Sequence, residues 1–211
     1  MAQGDANALI VAADPALWAE VEPRFRDAMA PTIQAVTNER PFRITHQDPM
    51  ELDGWNSLRR FRQVLVLGSA GDPWVDEVLA ALEEEDVPTP ADIVQTHDVW
   101  ASGQLVSLLL LPRTGQADAV ASLVDELHDL LDSQFRQYAR DRMFVSGENA
   151  ALADSLARTA GFSLRLPAVY RYLVSDSVYR FRNDNPSPSE LIRQLGLTWT
   201  SPIPDELPTR S

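Results

Sequence analysis

Between Gln116 and Phe144 the apolar residues Val120, Leu123, Val124, Leu127, Leu130, Leu131, Phe135, Tyr138 and Met143 recur at steps of three and four. That spacing lays one stripe along a helix, and such a stripe must be buried. At about 1.5 Å per residue the helix is roughly 40 Å long, enough to serve as a wall for the elements on either side of it. The charges fit the helix dipole: Asp118, Asp125, Glu126, Asp129 and Asp132 fill the first two-thirds, and Arg136, Arg140 and Arg142 the last turns. Asp132 and Arg136 stand at i,i+4, where they pair.

Upstream, the pattern switches repeatedly from strand to helix. Ala8 to Ala13 is a short apolar run suited to a buried strand, followed by Asp14, Pro15 and the helical set Leu17, Trp18, Val21, Phe25 and Met29. Asp at the N-cap and Pro at the first helical position open helices. The same punctuation follows Phe42 to His46 at Asp48 and Pro49, and follows Gln63 to Leu67 at Asp72 and Pro73. These three strand, Asp-Pro, helix units predict an α/β layout that uses one capping solution three times. Pro23 is expected to kink the first helix or delay its start.

Glu83 to Asp86 with Pro88 and Pro90 read as a solvated loop. Ile93 to Trp100 and Leu105 to Leu111, separated by Ala101, Ser102, Gly103 and Gln104, read as a hairpin. The second run, LVSLLLL, lacks alternation and belongs in the sheet centre with both faces covered.

After Ser146 and Gly147 break the long helix, Asn149 to Thr159 predicts a second helix ending at Gly161. Phe162 to Leu166, Ala168 to Val174 and Val178 to Arg182 alternate apolar and polar like antiparallel strands, with Leu191 to Thr200 as a fourth candidate. The tail, with Pro202, Pro204 and Pro208, is expected to be disordered. The fold class expected is therefore α/β in the α+β sense: a mixed sheet with packed helices, one long central helix, and a small antiparallel segment after it. Residues 1–145 form the mixed α/β domain; 146–200 form the helix and antiparallel segment, a plausible opening of a second α/β repeat; 201–211 form the tail.

Composition narrows the function classes. With 211 residues and 45% hydrophobic content the chain can bury a substantial core. A net charge of −13 and a pI near 4.5 repel phosphate backbones and anionic lipid surfaces. Arg59, Arg60 and Arg62, and Arg136, Arg140 and Arg142, have Phe61, Tyr138 and Met143 among them, the interleaving that suits single-stranded nucleic acid. The dipole argument explains the second cluster as a solvated helix end, so no nucleic-acid partner is expected. There is no cysteine, which excludes disulfides, thiolate metal sites and thiol nucleophiles. No run reaches the roughly 18 apolar residues of a membrane span, and MAQGDAN contains no apolar h-region; on its own that reads as cytoplasmic.

The candidate chemistry is sparse. His46, His97 and His128 with Asp48 or Asp98 offer zinc-type donors, but no HxH or HExxH spacing joins them. Gly68-Ser69-Ala70-Gly71 lies between a strand and a helix, where an α/β fold holds phosphates against backbone N–H groups. It lacks GxGxxG spacing and a P-loop lysine, and Asp72 is placed to occupy the free amides. Ser69 is outside any GxSxG motif. Trp18, Trp55, Trp74, Trp100 and Trp199 read as core or rim residues, with Trp74 and Trp199 available to line a groove. No catalytic, cofactor or metal residue is assigned, and no cofactor is expected.

The element order, and above all GFSLRLPAVYRYLVSDSVYRFRND with its Pro167 and its Tyr170-Arg171-Tyr172 strand, resembles an uncharacterised family of bacterial envelope lipoproteins catalogued as domain of unknown function 4837. The likeness covers most of residues 8 to 200. It implies export and a periplasmic or envelope-anchored place, with lipid attached through a cysteine upstream of this sequence. It also implies further strands after Thr198, and it brings no activity or functional residue. Two readings of function follow. The first is a non-enzymatic binding or structural module of the envelope. The alternative is a small-molecule-binding protein or hydrolase with its site at the strand ends near Ser69 and His97.

Overall fold

The computed structural model describes residues 1–34, 37–82, 89–183 and 193–198. Among them are a mixed sheet of five strands, an antiparallel sheet of three, and five helices. The contacts divide the chain into two compact units, Met1–Tyr138 and Ala139–Ser211. The division falls inside the long helix Gln116–Met143.

In the first unit the strands are β1 (Ala8–Ala12), β2 (Arg43–Gln47), β3 (Gln63–Gly68), β4 (Asp92–His97) and β5 (Leu105–Leu110). Their order across the sheet is β2-β1-β3-β5-β4, parallel except for the edge strand β4. The period of two along each strand sends alternate residues to opposite layers. Leu9 and Val11, Leu65 and Leu67, and Leu109 meet α1 (Pro15–Met29) and α4 (Gln116–Met143). Ile10 and Ala12, Val64 and Val66, and Leu108 and Leu110 meet α2 (Leu52–Leu58) and α3 (Pro73–Leu79). The result is a helix, sheet, helix sandwich, which is why the central strands are continuously apolar. β5, flanked by β3 and β4, is the covered central run that its lack of alternation predicts.

The long helix has the predicted extent. Val120, Val124, Leu127 and Leu131 are buried in the larger core, with Leu123 and Phe135 packed beside them. The stripe fades towards its end, where Tyr138 and Met143 are exposed.

Pro23 does not delay α1, which runs through it from Pro15. One lost backbone hydrogen bond is offset there by the burial of Leu17, Trp18, Val21, Phe25 and Met29 on a single face. The Asp-Pro opening stands at α1 and at α3, but the carboxylate caps the helix only at α1. The Asp14 carboxylate accepts from Ala16 N at 2.8 Å and Leu17 N at 3.2 Å. Asp48 instead closes a turn by accepting from Met50 N, and α2 starts later, after Glu51. Asp72 turns its carboxylate back to Ser69 N.

In the second unit, α5 (Ala150–Ala160) is capped by Asn149, which accepts from Leu152 N at 3.1 Å, and ends at Gly161 with φ 75°. The strands are β6 (Arg171–Ser175), β7 (Val178–Asn183) and β8 (Arg193–Leu197), in that order. The 162–166 stretch, expected to be a strand, is not in the sheet; it lays Phe162, Leu164 and Leu166 against Leu156 and Phe181 instead. The acidic 83–86 run and the 201–211 tail lie outside the described residues, as does Trp199.

Candidate functional site at the carboxyl edge of the parallel strands

In an open α/β sheet, ligands bind beyond the carboxyl ends of the strands, where the strand order reverses. Here the chain leaves β1 for β2 on one side and returns to β3 on the other, so the reversal lies between β1 and β3. The loops there are Ala13-Asp14 after β1, Ser69 to Asp72 after β3, and Pro112 to Gly115 after β5. Two concavities meet at this edge. One of about 330 Å³ is lined by Ser69, Gly71, Asp72, Arg113 and Gln116. The other, about 400 Å³, shares Arg113 and Gln116 and adds Asp14, Glu20 and Asp118.

The polar groups at this edge are committed to one another. Ser69 is 7% exposed. Its hydroxyl donates to Pro112 O at 3.0 Å and accepts from the Gln116 amide at 2.9 Å. Its N–H donates to Asp72 Oδ2 at 2.8 Å, and Gly71 N donates to Asp76 Oδ1 at 2.9 Å. Two carboxylates thus hold the amides that a phosphate would use. Arg113 Nη2 donates to Ala70 O at 3.3 Å. With Asp14, Glu20, Asp72 and Asp118 around a single guanidinium, the edge has a field hostile to anions. A hydroxyl that donates to a carbonyl, with an amide as its other partner, has no base to activate it.

The sheet register keeps Ser69 and His97 apart. Gly68, just before Ser69, pairs with Leu110, which pairs with Asp92 at the start of β4. His97 pairs with Leu105, which pairs with Gln63 at the start of β3. The two residues lie at opposite ends of the sheet, roughly 20 Å apart along the strand direction at about 3.3 Å per residue. A site that uses both does not exist in this fold, because β4 runs against β3 and β5.

The other histidines are also separate. The His46 ring stacks on Trp18 at 5.1 Å, with Nε2 3.0 Å from Ala13 O. His128 sits on the long helix beside Asp129. Among the described residues no group of three or more His, Asp or Glu is arranged to hold a metal. Trp74 is a core residue: it is 8% exposed, and its indole donates to Leu67 O at 3.0 Å. Of the basic clusters, Arg62 lies over the Tyr138 ring at 5.9 Å and Arg136 pairs with Asp132 at 2.6 Å.

Sequence reasoning passed over Gln116 and Arg113, which tie this edge together. The available signal was positional, since both follow the central strand, whose end must lie beside the end of β3. It also missed Gln104, taken as a turn residue. Gln104 is fully buried, donating to Arg59 O at 2.5 Å and Phe61 O at 2.7 Å and accepting from Trp100 N at 3.0 Å.

In the second unit, β6 is exposed along its whole length. Tyr172, Leu173 and Val174 are 41%, 61% and 43% exposed. Among the described residues β6 pairs with β7 alone. Period-two alternation and the register put Arg171, Leu173, Arg180 and Arg182 on one face, with Arg171 opposite Arg182 and Leu173 opposite Arg180. The other face carries Tyr172 stacked on Phe181 at 5.5 Å. Among the described residues no helix is long and apolar enough to cross a membrane.

No curated protein and no solved structure matches the chain. One family model does, over residues 2–146, and it is a different domain of unknown function from the one that the strand pattern resembles. The match takes in the whole five-stranded sheet, its four helices and the carboxyl edge, and on that extent the chain belongs to the family described as Domain of unknown function (DUF8532).

Proposed function

We propose that this protein is a non-enzymatic binding module of the bacterial envelope that takes its partner along the β6 edge. The observation that carries the reading is β6 itself, an edge strand exposed over five residues with Tyr172, Leu173 and Val174 open to solvent. Long exposed apolar edges are hazards that folds ordinarily blunt, and a persistent one marks a place where another chain adds a strand. The carboxyl edge supports the same reading from the other side, since its serine hydroxyl and loop amides are satisfied internally. The envelope location rests on the likeness of residues 8 to 200 to exported lipoproteins.

A photo-crosslinking residue in place of Leu173, in the source cell, tests the reading against the same residue in place of the exposed Glu126. The expected result is a discrete adduct from position 173 alone, in the envelope fraction. Equal labelling from both positions, or none from 173, refutes it. A second reading, a small polar ligand at the carboxyl edge, is favoured by the two abutting concavities there. It would engage Ser69, Arg113 and Gln116 without His97, and Gln116→Ala should abolish it.

A further inference from the structure

The second unit contains a concavity of about 730 Å³ that neither reading above uses. We infer that it binds a monoanionic amphiphile, a carboxylate head with an apolar body. The inference goes beyond the edge-strand reading, and no residue of β6 is in the cavity lining. One wall is the end of α4 and the turn after it, with Arg142, Met143, Val145 and Ser146; the other includes Val169 and Tyr170. The buried amide of Asn183 lies at its margin.

The walls are tied together. Asn149 N donates to Leu166 O and Ala168 N to Gly147 O, both at 2.9 Å, and Tyr170 N donates to Pro167 O at 3.1 Å. Arg165 donates to both carboxylate oxygens of Glu148, at 2.8 and 2.7 Å, and lies over the Phe144 ring at 5.3 Å. The space is therefore held open by backbone bonds and an ion pair, and its volume falls within the roughly 300–1,000 Å³ of small-molecule sites.

Chemistry selects the ligand. Met143, Val145 and Val169 are 46%, 81% and 48% exposed, and all three line this concavity. Apolar surface gathered around a hollow gains by covering with an apolar body. Arg142 supplies the charge. Among the described residues Arg136 and Arg165 form ion pairs within 4.0 Å, whereas Arg142 forms none. A guanidinium presents paired donors that match one carboxylate, and the Ser146 and Tyr170 hydroxyls stand on the same lining. The local charge also permits an anion: residues 139–183 hold seven arginines and four acids, in a chain of net charge −13.

The test titrates octanoate and octanol into the purified full chain, followed by calorimetry and by the methyl resonances of Val169. Saturable one-to-one octanoate binding is expected, at least tenfold tighter than octanol. Arg142→Gln and Val169→Asp should each weaken it at least tenfold, and Arg158→Gln, at an exposed arginine of α5 that is not in the cavity lining, should leave it unchanged. Non-saturable binding, equal affinity for octanol, or an affinity that Arg142→Gln leaves intact overturns the inference. If octanoate fails while position 173 still yields its adduct, the cavity ligand is refuted and the edge-strand reading is not.

Discussion

Replacing Leu127 with Asp removes the central contact of the long helix. Leu127 is fully buried in the core that α4 shares with α1 and the odd-numbered residues of β1, β3 and β5. Truncation to Ala alone costs about 2–5 kcal/mol through lost transfer energy and the cavity left behind. For a chain of this size that is a fall in melting temperature of roughly 4–20 °C. Asp adds an unpaired carboxylate with no cation in that apolar cluster, a further cost of several kcal/mol against a typical total stability of about 5–15. Leu127→Asp should therefore abolish the cooperative transition in a thermal melt followed by circular dichroism. Asp129→Ala, two positions away, is the control. The Asp129 side chain is 88% exposed, and its removal should stay within about 0.5 kcal/mol of the parent. Two variants of equal stability would show that the helix is not the wall on which the first unit is built.

Gln104→Leu should lower stability by several kcal/mol, because it orphans the carbonyls of Arg59 and Phe61 and the amide of Trp100, each costing about 1–3 kcal/mol; an unchanged denaturant midpoint would contradict the hydrogen bonds assigned to it. The hydrogen bond from Arg165 holds the Glu148 carboxyl below its ordinary value, with the charge of the same arginine adding to it. A depressed carboxylate stabilises the fold above its unfolded value, near 4.3, and that contribution is lost as pH falls through its lower folded value. Stability measured from about pH 6 down to 2 should thus fall less steeply in Glu148→Gln, and identical acid limbs would show that the pair does not couple to folding.

The alternation of apolar strands and Asp-Pro openings made the sandwich legible, because burial on both faces leaves a strand no polar position to disguise it. The antiparallel β4 and the central place of β5 followed from a short connection and a run without alternation. Three features were not legible. Pro23 stays within its helix because a five-residue apolar face outweighs one missing hydrogen bond. Asp48 and Asp72 carry the capping letter without the capping bond, since loop amides nearer in space compete for the same oxygens. The stretch 162–166 alternates like a strand, yet it spends its apolar residues on α5 and Phe181. At the candidate edge, Ser69 stood out in the sequence, but its partners Pro112 and Gln116 lie more than 40 residues away. Only the register of β3 beside β5 brings them there, and the same register removes His97.

If the polar groups of the carboxyl edge are satisfied by one another, as Ser69, Gly71 and Gln116 are, that edge should take up neither nucleotide nor metal, which thermal melts with zinc, magnesium, ATP and NAD measure. A ligand of the native state at 100 times its dissociation constant adds about 2.7 kcal/mol, several degrees for a chain of this length. Each melting temperature should match that of the protein alone. A rise of several degrees with any of them, removed by Ser69→Val, would contradict the account.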